Sequence, residues 1–222
     1  MDPERLLLCD IDGTLLHTGG AGMRAFSGAV QEALGTSLHL TPRHFAGKLD
    51  CIIFTSILES AGFPFAQRRT AWETFTRKYC ELLRNEARLT GQSWTVYPGV
   101  RDFLERHKNT WRLALLTGNI PEGARIKLTT VGLWDFFVCG AFGDSGDSRG
   151  DLAVRALKEC ERRFGVKGFN DIWVIGDTVA DIECGKRIAA KTLGVRTGFA
   201  KKGALEKAGA DRVTGTLEGV TL

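Results

Sequence analysis

Short runs of apolar residues alternate along the chain with longer stretches in which apolar residues recur every three or four positions. The short runs are typical of strands buried on both faces, as in a parallel sheet covered by helices, and the longer spacing is typical of amphipathic helices. The pattern predicts six strands, at residues 6–9, 111–116, 136–141, 171–177, 191–195 and 210–214. The expected fold class is α/β, with a doubly wound parallel sheet.

Between the first two strands, residues 18–95 have an almost entirely helical pattern. Within this block, helices are predicted at residues 23–34, 45–61 and 70–87, and Pro64 must interrupt the last two because proline removes a main-chain donor. A helical block after the first strand, followed by a return to alternating elements, indicates an insertion. We therefore expect a helical cap domain at residues 18–95, inserted into a core domain of residues 1–17 and 96–222.

The remaining helices belong to the predicted core domain. Their patterns cover residues 100–108 and 122–130, a stretch to Arg163 that Asp151 is expected to cap, and a stretch that reaches Ala189.

Two carboxylates with one residue between them follow the first apolar run, in Asp10-Ile11-Asp12-Gly13-Thr14. Ligands of open α/β sheets bind beyond the carboxyl ends of such strands. Two like charges this close repel each other unless a proton or a cation lies between them, and Mg²⁺ prefers hard oxygen ligands. We interpret Asp10 as nucleophile and metal ligand and Asp12 as proton donor and acceptor. The alternative is a pair of aspartates that cap a turn.

Polar residues also follow two later strands. Thr117-Gly118-Asn119 offers a hydroxyl, a flexible main chain and an amide, which suit a phosphate cradle but are also ordinary turn residues. Asp177 and Asp181 stand four positions apart and so share one helix face. We interpret Asp177 as a direct metal ligand and Asp181 as a ligand or an orienting group. The alternative is a helix N-cap followed by an acidic residue in the first turn.

The cation for a phosphate is expected in the polar loop of residues 143–150. Arg149 is the first candidate because a guanidinium binds phosphate through two hydrogen bonds. Lys127 is the second candidate, because its helix face is predicted to be solvated. Lys48 and Asp50 begin the second cap helix, where they either face a substrate or form a solvated helix start.

Together, Asp10 to Thr14, Thr117 to Asn119, the Arg149 region and Gly176 to Asp181 resemble the motifs of the haloacid dehalogenase-like superfamily. The resemblance covers nearly the whole chain and is strongest to the phosphoglycolate phosphatase and β-phosphoglucomutase branch. The chain departs from the pattern at Arg149, where the superfamily usually has a lysine.

The resemblance implies a Mg²⁺-dependent phosphatase of small phosphomonoesters that forms an aspartyl-phosphate on Asp10. It implies that Asp10, the Asp12 carbonyl and Asp177 hold the metal, with Asp181 beside them. Phosphate would be held by Thr117, Gly118, Asn119 and Arg149. True haloacid dehalogenases lack the second aspartate, so Asp12 favours phosphoryl chemistry over carbon–halogen cleavage. Lys48 and Asp50 of the cap would contribute to substrate specificity.

Three other functions have some support in the sequence. A sugar phosphomutase would need an aspartyl-phosphate stable enough to phosphorylate a bound intermediate. A non-catalytic binding protein on the same fold is disfavoured, because each charged group that the chemistry needs has a candidate. Gly20-Ala21-Gly22-Met23-Arg24-Ala25 fits a dinucleotide-binding fingerprint, but its glycines do not follow a strand directly, and a hinge into the cap is favoured.

Composition limits the partners. The formal charge of +4 comes from scattered Lys and Arg residues, which suits a small phosphorylated metabolite and no nucleic acid. No apolar window approaches a membrane span, and Arg5 and Asp10 bracket the only candidate for a signal peptide. The six cysteines show no regular spacing and are expected to be reduced thiols of a cytoplasmic protein. A monomer or a weak homo-oligomer is expected.

Overall fold

The computed structural model describes residues 4–35, 40–145 and 148–222, and of Arg43 only the main chain. Its larger sheet consists of β1 (Arg5–Cys9), β4 (Arg112–Leu116), β5 (Cys139–Ala141), β6 (Asp171–Gly176), β7 (Lys191–Val195) and β8 (Arg212–Thr214). The strand order is β5-β4-β1-β6-β7-β8, and each neighbouring pair is parallel. The chain runs from β1 to one edge and then returns to the other side of β1 at β6. This reversal places a crevice at the carboxyl ends of the central strands.

Both faces of the sheet are buried. Along β1, Leu7 and Cys9 pack into one apolar core, and Leu6 and Leu8 pack into another on the opposite face. Helices cover both faces: α4 (Val100–His107) and α5 (Pro121–Thr130) on the first, and α6 (Arg149–Phe164) and α7 (Val179–Arg187) on the second. The expected fold class, an α/β fold with a doubly wound parallel sheet, is confirmed.

In chain order, a helical layer separates β1 from β4, although these two strands are neighbours in the sheet. It consists of α1 (Ala21–Leu34), α2 (Asp50–Ser60) and α3 (Arg68–Thr90). The chain enters this layer through β2 (Leu16–His17) and leaves it through β3 (Thr95–Val96), which pair as an antiparallel ribbon. We call residues 18–95 the cap. The exact domain boundaries stay a prediction.

The cap has an apolar core of its own, which is rich in aromatic rings. The Phe75 ring stacks on Phe54, with 4.4 Å between the ring centroids, and on Tyr79, at 5.8 Å. Ile120 and Ile126, from the start and the middle of the α5 region, belong to the same core. The cap therefore packs directly on the helix that follows β4.

Two predicted elements begin three or more residues later than expected. The predicted strand at residues 136–141 begins only at Cys139, because Trp134–Phe136 form a 3₁₀ turn that the Phe137 N–H closes onto the Trp134 carbonyl at 3.1 Å. The predicted cap helix at residues 45–61 begins only at Asp50, because Gly47 adopts a φ of 68°, outside the helical region. The other helices begin and end within three residues of the predicted positions.

The start of α6 corrects a predicted cap. Ser148, and not Asp151, is the N-cap, because the Ser148 hydroxyl oxygen accepts the Asp151 N–H at 3.2 Å. Arg149 therefore begins a helix, where a loop residue was predicted. Residues 146 and 147 of the predicted loop lie outside the described residues.

Apolar packing holds the described part of the chain together. All six cysteines carry free thiols, and Cys139 is the one that is partly exposed. No helix among the described residues combines the length and the hydropathy that crossing a membrane would need.

Gly99 offers a test of how the start of α4 packs against residues 217 and 218. Its φ is 79°, and a Cβ there would lie 2.1 Å from the main-chain nitrogen of Glu218. We expect Gly99→Ala to lower the free energy of unfolding by more than about 3 kcal/mol, because a left-handed alanine costs about 1–2 kcal/mol and the clash adds to it. Urea denaturation measures the change.

Gly165→Ala is the matched control. Gly165 has a φ of 68°, but no described atom lies within 4 Å of the position that a Cβ would take there. This variant should show the backbone cost of about 1–2 kcal/mol alone. Equal losses in the two variants would contradict the close approach of residues 99 and 218.

Candidate active site

The predicted site residues converge at the carboxyl ends of three neighbouring strands. Asp10 follows β1, Thr117 follows β4 and Asp177 follows β6. The Asp10 N–H donates to the Ile175 carbonyl at 3.0 Å, so the sheet hydrogen bonding continues to the first carboxylate. The crevice that the strand order creates is therefore lined by carboxylates.

Asp10, Asp177 and Asp181 form what we call the three-carboxylate cluster. One carboxylate oxygen from each lies within 4.8 Å of the others, and all three residues are buried. Burial raises the pKa of Asp10, and the neighbouring Asp181 raises it further, against the opposing effect of Arg149. Burial also raises the pKa of Asp177, and Asp181 and Asp10 add to the effect. The cluster holds more negative charge than its surroundings neutralise.

Asp177 is held between main-chain segments that come from distant parts of the chain. It accepts the Thr14 hydroxyl at 3.1 Å and the Phe199 N–H at 2.7 Å. Gly13, with a φ of 84°, lies so close that a Cβ would be 2.6 Å from a carboxylate oxygen of Asp177. Glycine is therefore required at this position both by conformation and by space.

Asp181 belongs to a capping box at the start of α7. It accepts the Thr178 N–H at 2.9 Å and the Thr178 hydroxyl at 2.6 Å, both through Oδ2. Thr178 is thus the N-cap, and the alternative in which Asp177 caps the helix is wrong. The Asp177 carboxylate instead lies in the cluster with Asp10 and Asp181.

Arg149 is the cation beside the three-carboxylate cluster. Its Nη2 donates to Asp181 and lies 3.6 Å from Asp10 Oδ1. Burial works against the charged guanidinium, but Asp181 and Asp10 raise the pKa of Arg149 above its usual range. Its Nε is buried and has no hydrogen-bond partner among the described residues.

The charges around the cluster fit a divalent cation. Three carboxylates and one guanidinium leave two negative charges without a partner, which is the charge that one Mg²⁺ would neutralise. Carboxylate oxygens are also the ligands that this ion prefers. The donor set at the strand ends therefore suits magnesium.

Asp12 lies in a second group, with Asn119 and Lys127. Lys127 Nζ donates to Asp12 Oδ2 and to Asn119 Oδ1, both at 2.6 Å, and Asn119 Nδ2 donates to Asp12 Oδ2 at 2.8 Å. The Asp12 side chain is 34% exposed and the Lys127 side chain only 5%. Asp12 thus keeps access to the crevice while two buried donors hold it in place.

The predicted solvation of Lys127 is wrong. The residue is buried, because its side chain runs along the α5 face that carries Ala124 and Leu128 and reaches the strand ends. The signal was present in the sequence, since Lys127 stands three positions after Ala124 in the apolar stripe. Both candidate cations, Arg149 and Lys127, are therefore at the site, each beside a different aspartate.

The Thr117–Asn119 turn is tightly bonded. The buried Thr117 hydroxyl accepts from Asn119 Nδ2 at 2.9 Å, and the Asn119 oxygen accepts from Lys127. The Gly118 carbonyl accepts the Asp50 N–H at 2.8 Å. The Asn119 side chain therefore contacts three protein groups, although it was predicted to hold a phosphate.

The two predicted specificity residues of the cap differ in environment. Lys48 is exposed at the rim of the crevice, whereas Asp50 is buried and accepts the Ile120 N–H at 2.9 Å through Oδ2. Burial raises the pKa of Asp50 to about 7, although Lys127 and the hydrogen bond from Ile120 oppose the rise. Asp50 thus connects the start of α2 to Gly118 and Ile120, the residues on either side of Asn119.

Comparisons with known proteins agree with this geometry. A family model of the haloacid dehalogenase-like hydrolases matches residues 7–186. Comparison with curated proteins gives no match.

Solved structures share the fold along nearly the whole chain. CbbY from Rhodobacter sphaeroides, in complex with phosphate, is 20% identical, with a TM-score of 0.74 over 98% of this chain and 96% of its own. A hydrolase from Pseudomonas syringae is 22% identical, with a TM-score of 0.68 over 96% and 94%. A protein described as a predicted phosphoglycolate phosphatase from Haemophilus somnus is 17% identical, with a TM-score of 0.68 over 96% and 94%.

Asp50 gives a pH-dependent test of this arrangement. Because its pKa is higher in the folded chain than in the unfolded one, the folded state binds more protons, and Asp50 loses its stabilising contribution as the pH rises from about 4 to about 7. Asp50→Asn keeps an acceptor for Ile120 without a charge. Its stability relative to the parent protein should increase by about 1 kcal/mol or more between pH 5.5 and 8, as measured by urea denaturation.

Two further variants make this result specific. Asp50→Ala leaves the Ile120 N–H without its acceptor and should be about 1–3 kcal/mol less stable than Asp50→Asn at both pH values. The exposed Asp135→Asn is the matched surface control. A flat difference between Asp50→Asn and the parent would contradict the burial of a titrating Asp50.

Proposed function

The chain belongs to the family of haloacid dehalogenase-like hydrolases, and on that premise we propose that it is a Mg²⁺-dependent phosphatase of small phosphomonoesters. The observation that carries the proposal is the three-carboxylate cluster at the ends of β1 and β6, with two negative charges that lack a partner. Asp12, an acid–base group, stands two residues from the proposed nucleophile, Asp10. Two structural neighbours support the proposal: one is in complex with phosphate, and the other is described as a predicted phosphoglycolate phosphatase.

In this proposal Asp10 attacks the phosphorus. A bond forms between an Asp10 carboxylate oxygen and phosphorus while the ester bond to the leaving oxygen breaks, which gives an aspartyl-phosphate. Asp12 gives a proton to the leaving oxygen and then takes one from the water that hydrolyses the intermediate. Lys127 and Asn119 keep Asp12 in position for both transfers, since each donates to its Oδ2.

The remaining polar groups bind and orient. Asp10, Asp177 and the Asp12 carbonyl would hold Mg²⁺, with Asp181 beside them, and the ion would offset negative charge on the phosphoryl group. Arg149 lies 3.6 Å from the proposed nucleophile and is the cation that we assign to the phosphoryl oxygens. We assign Thr117 and Gly118 to the same group. Asn119 acts through Asp12 and Lys127.

The first prediction concerns Asp10. Asp10→Asn should lower the rate of phosphate release with Mg²⁺ by about 10³-fold or more, because an amide cannot form the acyl phosphate. A chelator should abolish release by the parent protein, and added Mg²⁺ should restore it. Release from a panel of phosphomonoesters is measured with a phosphate dye.

Its controls separate the alternatives. The exposed Asp102→Asn should keep full activity. A sugar phosphate that isomerises without net phosphate release would contradict the phosphatase proposal in favour of a mutase. A chain that releases no phosphate from any ester, and is never labelled by substrate phosphate, would contradict catalysis itself.

The second prediction concerns Asp12. Asp12→Asn should lower kcat/KM for an alkyl phosphate by about 10²–10⁴-fold, because an alkoxide is a poor leaving group without a proton. The loss should be at least about tenfold smaller for p-nitrophenyl phosphate, whose phenolate leaves without protonation. Steady-state kinetics with both substrates measure the two losses. Equal losses would mean that Asp12 does not protonate the leaving oxygen.

A further inference from the structure

A cavity of about 170 Å³ lies between the three-carboxylate cluster and the cap. Its floor carries Asp10, Asp12, Lys127 and Arg149, and the cap forms the opposite side. We call this side the cap wall: Met23, Phe26, Phe45, Ile53 and Tyr79. The residues of the wall come from α1, the turn before α2, α2 and α3. A substrate bound to the floor through phosphate would therefore place its leaving group against this wall.

The cap wall belongs to the apolar core of the cap. The Phe26 ring packs edge-on against Phe45, at 5.1 Å between centroids, and against Tyr79, at 5.7 Å. Phe26 also contacts Phe75 behind the wall, at 4.6 Å. Burial raises the pKa of Tyr79 well above its usual range, so its phenol is uncharged. The cap wall therefore presents no charged side chain to the cavity.

The charged groups around the cavity already have partners or lie at its rim. Lys127 donates to Asp12, and Arg149 contacts Asp10 and Asp181, so both cations serve the floor. Asp50 accepts the Ile120 N–H. Among the described side chains of the cap that line the cavity, Lys48 is the one with a full positive charge, and it is exposed.

This distribution of charge selects among leaving groups. A carboxylate or a second phosphate on the substrate would lose its hydration against the cap wall without gaining a buried cation. An apolar group gains by leaving water there. Size adds a limit, since an apolar cavity of about 150 Å³ holds one benzene. A phosphoryl group on the floor takes up part of the space, so the leaving group is limited to a few carbons.

We propose that the substrates are phosphate esters of small, uncharged and largely apolar alcohols, whose carbon groups pack on the cap wall. This inference rests on the proposed phosphatase function. It concerns the side of the cavity away from the reacting atoms, so it can fail while that function stands.

A matched pair of esters tests the inference. Isobutyl phosphate and 2-phosphoglycolate have leaving groups of the same size and branching, but one ends in two methyl groups and the other in a carboxylate. We expect kcat/KM to be at least about tenfold higher for isobutyl phosphate. A higher kcat/KM for 2-phosphoglycolate would overturn the inference and leave the phosphatase function intact.

Binding gives a readout that does not depend on turnover. Isobutylphosphonate and phosphonoacetate are the corresponding pair that cannot be hydrolysed, and titration calorimetry with Mg²⁺ present measures their affinities. Isobutylphosphonate should bind at least about tenfold more tightly. Absence of hydrolysis of every ester, with this binding preference retained, would overturn the phosphatase function but support the wall as a site for apolar groups. Tighter binding of phosphonoacetate would overturn the inference.

Variants of the wall complete the test. Met23→Arg places a cation on the wall and should shift the kcat/KM ratio toward 2-phosphoglycolate by at least about tenfold, whereas Met23→Leu should leave the ratio unchanged. Because Met23 is only partly buried, we expect both variants to fold. Circular dichroism spectra of the variants test this. Lys48→Met should also leave the ratio unchanged. A Lys48→Met protein that loses activity toward 2-phosphoglycolate alone would show that the rim lysine recognises anions, and it would overturn the inference.

Discussion

Repulsion among buried carboxylates is the constraint on which the rest of this structure depends. Asp10, Asp177 and Asp181 place one oxygen each within 4.8 Å of the others. Burial disfavours the charged forms of Asp10 and Asp177. A fold keeps such a group only where rigid neighbours hold each member and opposite charge is nearby. Arg149 supplies part of that charge. The remaining negative charge fits the divalent cation that we propose for the site.

The parallel sheet makes this crowding possible. Parallel strands end at the same edge, so Asp10 and Asp177 become neighbours although 167 positions separate them in the chain. Local devices then aim the side chains: Gly13 leaves room for the Asp177 carboxylate, and the Thr178 capping box turns Asp181 inward. Since these devices are short-range, the sheet supplies the proximity and the loops supply the direction.

This division also explains how much of the site could be predicted from sequence. Asp10, Thr117 and Asp177 were predicted because each directly follows an apolar run. The parallel register of the strands brings the three residues to the same edge of the sheet. The burial of Lys127 was missed although its place in the apolar stripe of α5 indicated it. The environment of Asp50 could not be predicted, because it depends on how the cap packs against α5, a contact between elements that no local pattern records. The Ser148 N-cap was missed for a different reason, since Ser148 and Asp151 are both common at helix starts and only the bond direction distinguishes them.

The contacts of Asp50 connect the cap to the acid–base group. The Asp50 N–H donates to the Gly118 carbonyl, and the Asp50 carboxylate accepts the Ile120 N–H. Asn119, which lies between these two residues, donates to Asp12. A displacement of α2 would therefore move the turn that holds Asp12, and not only the wall against which the leaving group packs. Of the cap wall, Ile53 alone lies on α2. This helix therefore contributes to the proposed contact with the leaving group and, through the Thr117–Asn119 turn, to the position of Asp12.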